Sequence, residues 1–140
     1  MKLKLKRESR KARVLRGHPW VFANELEQPL PEGADGRALP LEDARGRFLG
    51  MGIVNTQSRI AWRRYSRDKR DLDRNYLREA LETALRNREE EPFRRLVWSE
   101  ADDLPGLVVD QFGDYLVVQT LTLGMERVLE VVLELLQELV

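Results

Sequence analysis

Residues 45–67 read RGRFLGMGIVNTQSRIAWRRYSR, and the placing of glycines, β-formers and arginines in this stretch decides the architecture of the front half of the chain. Phe48 to Val54 has the composition of a strand, and Leu39 to Glu42 is its partner across Asp43-Ala44-Arg45-Gly46, where the glycine stands at the turn position that needs a positive φ. Gly50 and Gly52 lie inside the strand. Two glycines there predict a bulge or a close approach of backbone, as a small closed barrel requires. In the next strand Ile60, Trp62 and Arg64 alternate with Ala61, Arg63 and Tyr65.

Working outward, Lys2 to Lys6 is Lys-Leu-Lys-Leu-Lys, a period of two that puts Leu3 and Leu5 on one face of a half-buried strand. Ser9 is placed to cap a short helix through Arg16, with Gly17 at the left-handed exit and Pro19 preventing continuation into His18-Pro19-Trp20-Val21-Phe22. Gln28 to Pro40, rich in proline and glycine, reads as a surface loop. Residues 1–66 are therefore expected to form a mostly β module with one helix. Arg67 to Asp71 is a charged linker. Beyond it, Asp71 is placed to cap a helix whose stripe includes Leu77, Leu81 and Ala84. Leu96 to Trp98, Leu107 to Asp110 and Tyr115 to Thr120 read as strands, the last two forming a hairpin, and a final apolar helix starts near Met125. The fold class expected is α+β, with a small mixed barrel over 1–66 and a small α/β domain over 71–140.

Composition narrows the chemistry. The 140 residues contain no cysteine and one histidine, and 42% are apolar. Disulfides, thiolate metal sites and thiol catalysis are excluded, and a single His18 cannot build a multi-histidine metal centre. Glutamates break the most apolar segment, Val128 to Val140, so no membrane span is expected; with no apolar leader after the basic start, a cytoplasmic location is. No P-loop, dinucleotide turn or zinc spacing occurs, so neither a nucleotide cofactor nor a metal is expected in this chain. Glu100, Asp102, Asp103, Asp110 and Asp114 are acidic but lack the spacing of a calcium loop, and caps and turns are the expected roles.

The net charge of zero is a cancellation. Residues 1–70 hold 17 basic and 8 acidic side chains, a net +9, and residues 71–140 hold 7 and 16, a net −9. Eight of the first sixteen residues are basic. Such a field attracts polyanions, foremost nucleic acid, unless the two halves simply neutralise each other. Lys4, Lys6 and Lys11 are expected to supply phosphate attraction, and Arg13, Arg16, His18, Arg63 and Arg64 to contact RNA, with Arg67 beside them. Trp20, Phe22, Trp62 and Tyr65 are expected in the core rather than on bases. No catalytic residue is expected.

Two segments carry a family resemblance. RKARVLRGHPWVFANEL (10–26), followed by residues 45–67, resembles the PUA domain of the RlmI-type family of ribosomal RNA cytosine-C5 methyltransferases, and RLVWSEADDLPGLVVDQFGDYLVVQ (95–119) is similar to that family's central domain. The resemblance implies an RNA-binding PUA barrel over about 2–66 and a central domain from about 71, ahead of a Rossmann-like domain holding S-adenosylmethionine and a nucleophilic cysteine. No residue of this chain matches those cofactor motifs, and without cysteine the covalent mechanism cannot run here. The chain alone is thus expected to be inactive, the RNA-recognition portion of a 23S rRNA methyltransferase and a piece of a longer protein. Its expected partner is ribosomal RNA, with no membrane. A homodimer through the C-terminal helix is a further candidate, and the alternatives are a free-standing PUA-type adaptor in ribosome assembly or a protein-interaction module using that helix.

Overall fold

The computed structural model describes residues 1–9 and 12–140, and divides into two compact units, Met1–Asp71 and Leu72–Val140. Strands and helices make it a mixed α+β structure, with one sheet in each unit.

The first unit is a curled five-stranded sheet in the order β1-β3-β4-β5-β2. Its strands are β1 (Leu3–Lys4), β2 (Trp20–Phe22), β3 (Ala38–Glu42), β4 (Phe48–Val54) and β5 (Ile60–Ser66). β1 runs parallel to β3 and the other pairings are antiparallel. Leu3 and Leu5 both face the core, as their alternation requires, although the strand is shorter than Lys2 to Lys6. Pro40 lies within β3, in keeping with the strand expected over Leu39 to Glu42, so the proline- and glycine-rich loop ends before Ala38.

The glycines of β4 do what was expected of them. The β4–β5 ladder is irregular between Met51 and Gly52. Gly52 lies under the indole of Trp62, and a Cβ there would come within 2.7 Å of the Arg63 carbonyl. Gly50, at φ 145°, would place a Cβ 2.5 Å from Arg64 Cδ. Trp62 is fully buried and its Nε1 donates to the Leu39 carbonyl at 2.9 Å, so its one polar atom is satisfied inside the core.

Arg13–Arg16 is a single 3₁₀ turn, closed by Gly17 at φ 95°. Ser9 Oγ donates to the Glu25 carbonyl at 3.1 Å, and the expected helix start at residues 10–11 lies outside the described residues.

The second unit contains α1 (Arg74–Arg86), a three-stranded antiparallel sheet of β6 (Phe93–Trp98), β7 (Leu107–Phe112) and β8 (Tyr115–Thr120), then α2 (Leu123–Arg127) and α3 (Leu129–Leu139). Asp73, not Asp71, caps α1, accepting from the Tyr76 amide at 2.9 Å. Thr122 caps α2 and its hydroxyl donates to the Pro105 carbonyl at 3.0 Å. A cap residue at Val128 divides the expected last helix in two.

Val132, Leu135 and Leu136 of α3 are buried within this unit, leaving Leu133 and Val140 as its large exposed apolar residues. Its carboxylates turn toward α1, where Arg74 meets Glu134 at 2.6 Å and Glu138 at 3.1 Å, and Arg78 also binds Glu138. No described helix is long and apolar enough to cross a membrane.

Candidate nucleic-acid interface

The sequence expectations placed cations on the front unit, and the fold sorts them into three environments. The first is exposed and lacks carboxylate partners. Arg7, Arg13 and Arg16 are exposed, Lys4 and Lys6 are half-buried along their stems, and none of the five carries an ion pair among the described residues. Lysine and arginine stems commonly pack on the protein while the charged end stays in water. Lys11 lies outside the described residues.

The second environment is a stack at the β2–β5 pairing. Trp20 is the register partner of Arg63, whose guanidinium carbon lies 5.1 Å from the indole centroid. His18 meets the same indole edge-on, 5.2 Å between centroids, and its Nδ1 accepts from the Trp20 amide at 3.2 Å. Pro19 forces the extended exit that brings His18 and Trp20 together. The planar groups of Arg63, Trp20 and His18 thus form one block.

Arg64 occupies the third environment, the interior. It is 8% exposed, donates through Nη2 to the Gly17 carbonyl at 2.9 Å, and its amide donates to the Pro19 carbonyl at 2.7 Å. It ties the end of the 3₁₀ turn to β5. Trp62 and Tyr65 are buried as expected, with the Tyr65 hydroxyl donating to the Arg70 carbonyl at 2.5 Å.

Sequence reading missed Arg45 and Arg47. They belong to the β3–β4 turn, and a cleft of about 720 Å³ is lined by both together with Lys6, Arg7, Ser9 and Asp43. Asp43 builds the turn: its Oδ1 accepts from the amides of Arg45 at 2.9 Å and Arg47 at 2.8 Å, and its Oδ2 lies 3.4 Å from Arg47 Nε. The Arg47 amide bond holds the Asp43 carboxyl below its ordinary 3.8, helped by the Arg45 amide and both guanidinium charges against partial burial. Arg-Gly-Arg straddling a turn glycine was the available signal; the turn assignment absorbed it.

The acidic residues of the second unit serve structure. Asp102 accepts from Arg88 at 2.7 Å and from the Trp98 amide at 2.7 Å, Asp110 binds Arg95 at 2.7 Å, and Asp103 adopts a left-handed conformation at φ 57°. Among the described residues no three acidic or histidine side chains group as a metal site. Gly52, Gly50 and Gly106 are packed against Trp62, Arg64 and Thr122 respectively.

Comparison with known proteins agrees with this geometry. Residues 3–67 match the PUA-like domain family. The chain is 28% identical to ribosomal RNA large subunit methyltransferase I of Klebsiella pneumoniae over 139 residues, covering 94% of this chain and 35% of that protein. It is 31% identical to the protein of that name from Aeromonas salmonicida, again over 94% and 35%. The chain therefore spans about a third of the length of these curated relatives. Among solved structures, a Streptococcus mutans protein described as a SAM-dependent methyltransferase shares the fold at TM-score 0.80 and 16% identity, covering 99% of this chain and 37% of that one. A PUA-like domain occupies residues 3–67, and over nearly its whole length this chain is homologous to part of ribosomal RNA large subunit methyltransferase I.

Proposed function

We propose that the chain is the RNA-recognition portion of a SAM-dependent 23S rRNA methyltransferase that modifies cytosine at C5, with a PUA-like domain over 1–66 and a central domain over 71–140. The observation that carries the reading is the set of exposed cations on the PUA-like unit, Arg7, Arg13 and Arg16 with Lys4 and Lys6, which have no carboxylate partner among the described residues. Cations left without internal partners are the ones available to phosphates, and their contacts set both affinity and its salt dependence. Lys11 belongs with them by sequence.

In this reading Arg63 and His18 present a planar block, with Trp20 between them, to an unpaired base. Arg64 contributes by holding Gly17, and so the Arg13–Arg16 turn, in place. S-adenosylmethionine and the methyl-transfer chemistry belong to the full-length enzyme, since this chain spans about a third of the methyltransferases it resembles. The location follows the substrate and is cytoplasmic.

The test is binding of the whole 140-residue chain to 23S rRNA stem-loops across a salt series. Replacing Arg13 and Arg16 together by Ala should weaken binding and reduce the slope of log K against log salt by about 0.7–0.9 for each phosphate contact removed. An unchanged affinity and slope would remove these residues from the interface; absence of RNA binding by the unaltered chain would overturn the reading.

A further inference from the structure

We infer that the cleft between the Arg45–Arg47 turn and the Lys6–Arg7 segment is a phosphodiester seat, the place where the RNA backbone is gripped. The inference rests on the RNA-binding reading and assigns it a site that the sequence pattern did not reveal. Four cations line this cleft from two segments about forty residues apart: Lys6 and Arg7 after β1, Arg45 and Arg47 between β3 and β4. β1 and β3 are paired in parallel, with Lys4 opposite Glu42, which is why the residues following each strand emerge at the same end of the sheet. A second cleft shares Lys6, Arg7 and Ala44 with the first and adds Lys4, but also Glu8 and Glu27, so the excess of cations is confined to the cleft at the turn.

Bringing like charges to one cleft is unfavourable unless something negative offsets them. The carboxylate inside the cleft is Asp43, and both oxygens are already committed to its own turn, Oδ1 to the two amides and Oδ2 near Arg47 Nε. Arg7 and Lys6 carry no ion pair among the described residues, and Arg47's side chain is 75% exposed. The turn is fixed by Asp43 while the guanidinium groups remain in solvent. That combination of a rigid base and available cations suits a doubly liganded phosphate, to which arginine binds in a planar fork.

Two measurements on the intact chain separate this inference from the general reading. In the first, inorganic phosphate is titrated at low salt and backbone amide shifts are followed by NMR. Saturable shifts centred on Arg7, Arg45 and Arg47 are expected, and shifts elsewhere only, or none, overturn the seat. In the second, the Arg45→Ala/Arg47→Ala double variant is compared with the unaltered chain on a 23S rRNA stem-loop. Loss of the one phosphate that both arginines hold should lower the salt slope by about 0.7 on single-stranded RNA. Arg45→Lys/Arg47→Lys should keep the slope near the original and lose affinity, since charge persists without the fork. If the unaltered chain binds RNA and the alanine variant has the same slope, the seat is wrong and the wider reading stands. If the unaltered chain shows no RNA binding, the wider reading falls and this assignment with it.

Discussion

Arg64 shows how one side chain is withdrawn from a surface its sequence neighbours suggest. Arg63 and Arg64 are adjacent on β5, so they point to opposite faces, and the inward one reaches the Gly17 carbonyl at 2.9 Å. It has room because β4 supplies Gly50 under its side chain. Replacing Arg64 by Met keeps most of the volume but removes the donor and leaves a carbonyl short of a partner, a change of about 1–3 kcal/mol. Chemical denaturation should report that loss. RNA affinity measured well below the unfolding midpoint should fall together with the order of the Arg13–Arg16 turn. An unchanged midpoint would mean that water replaces the guanidinium at no cost.

Among elements, the β3–β4 turn is governed by a single carboxylate, and its chemistry sets a pH dependence. The folded pKa of Asp43 lies below its ordinary 3.8 because the Arg47 amide, then the Arg45 amide, bind the ionised form. A depressed carboxylate pKa contributes stability above the unfolded value and loses it as pH falls through the folded one. The turn should therefore be constant from neutral pH to about 4 and loosen below that, seen as accelerated amide exchange at Arg45 and Arg47 relative to Ile53. Asp43→Asn should be looser at pH 6 and show no such acid step. The same element explains the limits of sequence reading. Gly46, Gly50 and Gly52 declared the turn and the close packing of β4, because glycine answers a local backbone demand. The cleft behind Arg45 and Arg47 was illegible, because it depends on β1 lying parallel to β3, a pairing between distant segments. A cap was misplaced similarly: Asp71 and Asp73 both satisfy the residue preference, and Asp73 lies closer to the buried stripe of α1.

For the whole molecule the decisive quantity is how charge is distributed, since the total is zero. Unit Met1–Asp71 holds 17 basic and 9 acidic residues, a net +8, and Leu72–Val140 holds 7 and 15, a net −8. Mutual neutralisation was the competing explanation of that segregation. Within the second unit, however, Glu134, Glu138, Asp102 and Asp110 are paired with that unit's own Arg74, Arg78, Arg88 and Arg95. In the first unit Lys2–Glu42 and Arg47–Asp43 leave Lys4, Lys6, Arg7, Arg13 and Arg16 without ion pairs among the described residues. A chain of zero net charge should then bind RNA as a basic protein does. If about four phosphates are engaged, raising salt from about 50 to 200 mM should weaken binding about 50-fold on single-stranded RNA, by the 0.7-per-phosphate slope. Substitutions that remove carboxylates from the second unit, such as Glu130→Gln, should leave that slope unchanged, because the slope counts the phosphates neutralised by bound cations. A slope near zero in the unaltered chain would show that the segregated charge serves the protein's interior relations and not a polyanion.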